Sequence, residues 1–419
     1  MDTQLYSLDA QLDFLGLKDS DGFQAAYDSG LRSREDIALN LNDFEFAEPQ
    51  IGYKYSLLEL EGKLNPMAAI TGYDSEPLPV GKDVDFRKLE GTIPRQRILI
   101  QKDEEDYRNM LQAEADARTK AVLRGESPYD SVYSYLAANL FDTFARFTDG
   151  HAGLVNNMIG KILSKGAYTV TDDNNPQGGI RDVTFSAQVP DENKVSVAFW
   201  YVDSNGENVY DETVDPIKVF WKKLRSIRDN ELGNGYDSIK VRVGRKTFYD
   251  FIEHPKVKAA IGYALNGNLR LTKENNANAM AVAEYAIYHD TEEALVSVVR
   301  TLIGADVLQL ENTVCAVSKY DKDSKKFVTS KIKAFEEGVF SISPTGVIGS
   351  IRNVIPVRPD GSAVYAYIYG NRGIIEYDYD VRKKIQTMVS ELTVLPVPNN
   401  PSRLFYYNVI GEAPVVSGD

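Results

Sequence analysis

The sequence predicts an α+β fold, with helices and strands alternating too irregularly for a doubly wound parallel sheet. Three observations predict it. Apolar residues recur at helical spacing over about 130–164. A polar, proline-bearing stretch within 52–102 is bounded by strand patterns. The last third of the 419-residue chain is mostly strand-like.

Residues 1–51 are polar and broken by short helical or turn-like pieces, Leu8 to Leu17 and then Asp19-Ser20-Asp21-Gly22. They predict an extended N-terminal arm more than a packed domain. In 52–102, Tyr53, Tyr55 and Leu57 alternate with Lys54 and Ser56, as strand residues do. The turn formers from Gly72 to Lys82 follow, and Arg95 to Ile100 reads as a second strand. Two strands around such an excursion predict a protruding loop, and a loop of that length is usually functional.

Asp103 to Asp106 place carboxylates at the start of a helix running to about Leu123, where they suit the helix dipole; Gly125 and Pro128 end it. The next stripe runs through Val132, Leu136, Leu140, Phe144, Phe147, His151, Leu154, Met158 and Ile162, and Gly166 stops it. One helix over 130–164 would be about 50 Å long, with a kink expected at Gly150 or Gly153 if anywhere. Such a helix is a spine. Beyond it, Ala167 to Val170, Arg181 to Ala187 and Val195 to Val202 read as strands. A helix from Pro216 buries Val219, Phe220, Leu224 and Ile227 and carries Lys222, Lys223, Arg225 and Arg228 elsewhere; an ordinary solvated face explains those cations. Ile239 to Val243 is a strand, Thr247 to Ile252 a short helix and Thr291 to Ile303 an amphipathic one. The remainder is mainly β: Val314 to Val317, Phe327 to Ile332, Gly338 to Ile342, Val364 to Tyr369 and Met388 to Val397.

The composition is that of a globular protein, 43% hydrophobic and 26% charged, with no run of the roughly 20 apolar residues a membrane span needs. The single cysteine, Cys315, excludes an intramolecular disulfide. A net charge of −14 argues against nucleic-acid binding as the main role, though a local basic patch remains compatible with it. The 25 tyrosines suit either extensive interfaces or a tyrosine-rich core.

Chemistry-bearing patterns are sparse. His151, His254 and His289 have no metal-site spacing, and no Walker loop, GxGxxG or GxSxG motif occurs. Gly233-Asn234-Gly235 reads as a turn. His289-Asp290 lacks a nucleophile, and Cys315 sits in an apolar run as a buried strand residue. Glu376, Asp378 and Asp380 share one strand face, which suits a hard cation or, more simply, a solvated or lysine-paired surface. No catalytic, cofactor-binding or metal-binding residues are predicted, and the chain does not read as an enzyme.

Three stretches resemble one family. Asn157 to Val170 is similar to a spine helix closing on a small apolar run, a glycine and a strand. Asp215 to Trp221, continuing through Tyr236 to Val241 and His254 to Val257, looks like the helix, strand and short helix that open an inserted domain. Ile342-Ser343-Pro344-Thr345-Gly346-Val347-Ile348-Gly349 is similar to a strand-turn segment before late strands. In this order they resemble the tailed-phage major capsid proteins with the Hong Kong 97 fold, most of all the lambda-type major capsid protein E group. The helix at Glu104 to Tyr129 departs from that pattern, and the first fifty residues match nothing in it.

The resemblance implies an N-terminal arm (1–51), an extended two-stranded loop (52–102), a peripheral domain with the spine (103–213), an axial domain (214–370) and a return to the peripheral domain (371–419). It implies a subunit that self-assembles as hexamers and pentamers into an icosahedral shell around double-stranded phage DNA, made in the host bacterial cytoplasm and located in the virion. Portal, separate scaffolding and decoration proteins would be partners, with no membrane. Lys82, Asp83, Asp85, Arg87 and Lys88 on the loop are the candidates for inter-subunit contacts. A crosslink of Lys82 or Lys88 to Asn399 or Asn400 is the pair to test. The rivals are a cellular nanocompartment shell of the same fold and a hydrolase or sugar-binding protein using Trp200, Trp221 and scattered carboxylates.

Overall fold

The structure, a computed structural model, describes residues 13, 15–16, 20–32, 41–60, 86–102, 104–176, 178, 180–229, 235–265, 273–321, 326–357, 364–380 and 385–412. Its central element is the spine helix. Among the described residues α1 (Ser20–Arg32) and α2 (Glu104–Arg124) precede it, and the spine is α3 (Pro128–Lys165). At 38 residues it is about 57 Å long. The Ser127 side chain caps its start by accepting from the Asp130 amide, and Pro128 occupies the first turn, where no amide is needed. Gly166, at φ 71°, ends it and donates to the Ile162 carbonyl at 2.9 Å. The helix runs unbroken through Gly150 and Gly153. At Gly160 a Cβ would come within 2.6 Å of the Ala334 backbone, so only glycine lets that chain lie against the spine.

Part of the segment expected to extend as an arm is packed. Phe23 and Tyr27, one turn apart on α1, both meet the Phe144 ring of the spine edge-on, at 5.0 and 5.6 Å. The Gln24 side chain donates to the Tyr367 carbonyl and accepts from its amide. Two aromatics on one helix face are buried against the spine, and the polar sequence around them conceals that face.

The first sheet is organised by β17 (Ile385–Pro398). Its first half lies between β16 (Gly373–Asp380) and β4 (Arg95–Lys102); its last residues pair with β14 (Gly349–Asn353). Strand β1 (Phe44–Phe46) joins β14 in parallel, and β15 (Val364–Ile368) joins β16. This corrects one expectation. The strand at Arg95 to Ile100 does not close the protruding loop. The partner of β2 (Lys54–Leu60) is β3 (Phe86–Thr92), and β4 enters the sheet, where Ile98 and Ile100 pack on the spine core.

The second sheet runs in the order β10 (Val307–Glu311), β9 (Ile239–Gly244), β13 (Val339–Pro344), β18 (Phe405–Gly411), β7 (Lys194–Val202) and β8 (Asn208–Tyr210). Helices α4 (Pro216–Arg228), α5 (Arg245–Glu253), α6 (Pro255–Leu265), α7 (Lys273–His289) and α8 (Glu292–Ile303) belong to this half. Its core is a separate apolar cluster around Phe199, Phe220, Phe251 and Phe340. The two sheets draw strands from across the expected boundaries: β7 and β8 join the second sheet, β14 and β15 the first, and β18 the second. Among the described residues three ribbons stand outside both sheets: β2–β3, the pair β5 (Ala167–Thr169) and β6 (Thr184–Ser186), and the pair β11 (Val314–Asp321) and β12 (Lys326–Lys333).

Candidate subunit-contact surfaces

Of the loop residues singled out, Lys82, Asp83 and Asp85 lie outside the described residues. Arg87 and Lys88 lie on β3, opposite Glu59 and Leu58 respectively. Lys88 pairs with Glu90 on its own strand, both well exposed. The ribbon is held by one face along its described length. Tyr55 is buried, and the buried Glu59 carboxylate accepts from the Ser402 amide at 2.9 Å and the Ser402 hydroxyl at 2.7 Å. Gln188 donates to the Glu90 carbonyl at 2.8 Å. On the opposite face, Leu58 is 70% exposed. Asn399 and Asn400, both exposed, precede Ser402, so they sit close to this anchor.

Sequence reasoning missed a buried charge cluster where the two sheets meet. Asp43, just before β1, accepts from Lys240 Nζ at 2.9 Å and from the Arg242 guanidinium. Arg242 is fully buried and also donates to Ser343 Oγ at 2.6 Å; its Nε lies 3.8 Å from Glu311. Burial raises the Glu311 pKa, the nearby Arg242 lowers it and Asp43 raises it again. A signal for half of this existed: Lys240 and Arg242 share one face of an otherwise apolar strand. Their anion is almost two hundred residues away. The cluster pins the segment around Asp43, whose carbonyl takes the Ile348 amide, to both sheets.

The other candidates are structural in their surroundings. His151, on the spine, contacts Ser390 Oγ at 2.9 Å and Gln96 Oε1 at 3.4 Å, and burial pushes its pKa down to about 4. His254 Nδ1 accepts the Lys256 amide, and Nε2 donates to the Asp211 carbonyl. His289 lies against Tyr285 with ring centres 4.3 Å apart. Cys315 is buried, its thiol directed to the Gly153 carbonyl at 3.2 Å and its pKa raised by burial. A cleft of about 970 Å³ opens between β4, the spine and β11, lined by Leu99, Gly153, Asn157 and Val317 among others. Among the described residues no group of three or more His, Cys, Asp and Glu side chains converges as for a metal ion. Trp200 is buried in the second core while Trp221 is 47% exposed, so they do not form one aromatic platform. Gly233 and Asn234 lie outside the described residues, as do the side chains of Asp378 and Asp380. Among the described residues no helix is long and apolar enough to cross a membrane.

No protein-family model matches the chain, and no curated relative matches it. Solved structures are similar to it over most of its length. The protein described as the capsid protein of an Escherichia coli CFT073 prophage has 10% identity and a TM-score of 0.41, covering 93% of this chain and 99% of that one. The procapsid of satellite phage P4 has 9% identity and a TM-score of 0.39, covering 93% and 91%. The capsid of Ralstonia phage GP4 has 13% identity and a TM-score of 0.40, covering 88% and 87%.

Proposed function

We propose that this chain is a shell subunit, the major capsid protein of a tailed phage, which assembles as hexamers and pentamers into an icosahedral head around double-stranded DNA. The observation that carries the reading is the β2–β3 ribbon, docked along one face through Tyr55 and Glu59 and presenting Leu58 outward on the other. A two-stranded ribbon is marginally stable at best in water. It gains stability by lying on another surface, and a neighbouring copy supplies one at every position in a shell. The spine, about 57 Å long, with a sheet and core at its side and a second core joined to it, suits a part that transmits contacts across a lattice.

In this reading Lys82, Asp83, Asp85, Arg87 and Lys88 make polar contacts with the next subunit. Lys88 there exchanges its exposed Glu90 pairing, which costs little. Portal, scaffolding and decoration proteins are the other partners, the DNA is contained without sequence recognition, and assembly takes place in the host bacterial cytoplasm. Electron microscopy of the purified chain tests it. Uniform closed shells or capsomer rings are expected; a dispersed monomer under all assembly conditions overturns the reading.

A further inference from the structure

Helix α4 carries a feature that the packing of its own core does not use. The Asp215 side chain caps its first turn, and Phe220, Leu224 and Ile227 are buried beneath it. On the opposite face Trp221, Lys222 and Arg225 lie three, four and seven residues on from Lys218, all four exposed. Arg225 lies over the Trp221 ring at 5.4 Å and bridges Asp229 at 3.3 Å. On a chain of net charge −14 this is a continuous cationic stripe centred on an exposed tryptophan.

The same half of the molecule carries its complement. At the corner between α7 and α8, Glu284, Asp290 and Glu293 are exposed, and Tyr285 and Tyr288 are 67% and 70% exposed. The two patches lie at opposite ends of α8. Trp221 approaches Gly304, which caps the C-terminus of α8, and Arg228 binds Asp306 just beyond at 2.9 Å. The acidic corner adjoins Thr291, which caps the N-terminus. Twelve residues separate them, about 18 Å of helix, so the patches do not pair within one copy.

We propose that the Lys218-Trp221-Lys222-Arg225 stripe of one copy docks on the acidic, tyrosine-bearing α7–α8 corner of the next, head to tail around a ring. The proposal rests on the shell-subunit reading and supplies that reading with a ring contact. Patches at two ends of one body make a heterologous contact, which closes into a ring when the rotation between copies closes. Tryptophan, tyrosine and arginine are the residues on which interface energy concentrates. A nucleic-acid surface would call for a broad basic field, and this chain has a pI of about 4.9.

Charge reversal on the full chain tests it. Lys218→Glu with Lys222→Glu and Arg225→Glu reverses the stripe; Glu284→Lys with Asp290→Lys and Glu293→Lys reverses the corner. Each set alone is expected to raise the concentration for half-assembly at least tenfold in sedimentation, with near-ultraviolet circular dichroism unchanged. Combining both sets in one chain restores assembly to within about threefold of the unaltered protein, and mixing the two variant chains equally restores six-membered rings, in which they alternate. Native-like assembly of either single set overturns the proposal, and so does failure of both restorations. Intact rings that lose co-sedimenting DNA would make the stripe a polyanion surface and also overturn it. If a reversed chain misfolds, Trp221→Ala and Tyr288→Ser replace it, with the same tenfold criterion. An unaltered chain that never assembles defeats the shell reading itself, which separates that failure from failure of the contact.

Discussion

The two cores are built in different ways. The spine-centred core gathers Leu15, Phe23, Phe44, Phe144, Phe335, Ile375 and Leu404 from nearly the whole chain. The second core is almost continuous, running from Phe199 to Ile342, with Phe405, Tyr407 and Val409 added from far away. A core of local contacts closes short loops; one of remote contacts closes long ones and depends on strands that arrive late in the chain. Strand β18 is that late arrival in the second sheet, and it binds the cores together through Tyr406. This tyrosine belongs to the first core, and its hydroxyl donates to the Ile162 carbonyl of the spine.

The largest break in this comparison lies at the seam. Asp43→Ala leaves Lys240 and Arg242 buried with one fewer anion, which is expected to cost about 3–5 kcal/mol. Denaturant unfolding followed by hydrogen exchange checks it. Protection is expected to fall first at the amides of Ile348, Ala47 and Gln50, which tie the Asp43 segment to the first sheet. Uniform loss across both cores would show that they unfold as one unit.

Acid separates the cores next. Burial holds the His151 imidazole at about 4, against 6.5 for an ordinary histidine. The unfolded chain therefore binds the additional proton as the pH drops below 6.5. The contribution of neutral His151 is whole above that value and disappears as the pH falls through about 4. Roughly 3 kcal/mol is involved. His254, in the second half, is shifted down for the same reason, burial. Comparing His151→Gln with the parent between pH 7 and 4 checks the sign: the variant should lose less stability on acidification. Parallel curves would count against it.

The smallest effect comes from matched caps. Ser127→Ala at the spine and Thr291→Ala at α8 each remove one side-chain acceptor, worth about 0.5–1 kcal/mol. Equal losses in thermal unfolding are expected where each core melts cooperatively. A loss confined to Thr291→Ala would mean that the spine tolerates fraying of its first turn.

Legibility followed the strength of local contrast. The spine was readable because its apolar stripe is made of large residues and its ends carry a serine, a proline and a glycine where the backbone needs them. Helix α4 was readable for the same reasons. Helix α7 was not, because the residues it buries are Ala279, Ala283 and Ala286, which give little contrast with their neighbours. Strands β1, β14 and β18 escaped notice because short runs with buried faces have no period to detect. On the loop, alternation at Tyr53 to Leu57 placed β2 correctly, while the choice between Phe86–Thr92 and Arg95–Lys102 as its partner depended on β17, three hundred residues on. Among the candidate contact residues the sequence located Arg87 and Lys88 on the ribbon, but nothing near them announced Glu59 and Ser402 as its anchor.

By itself, then, the sequence determined the elements whose information is local: a long capped spine, an acid-led helix before it, a basic helix after it, and strands wherever large apolar residues alternate. Propensity, caps and periodicity act over a few residues, and they were sufficient there. The tertiary structure decided which strand pairs with which, that residues 20–32 pack on the spine, and that Asp43 balances two cations from another sheet. Those outcomes depend on desolvation and hydrogen-bond pairing between groups hundreds of residues apart, and no local pattern records such partners.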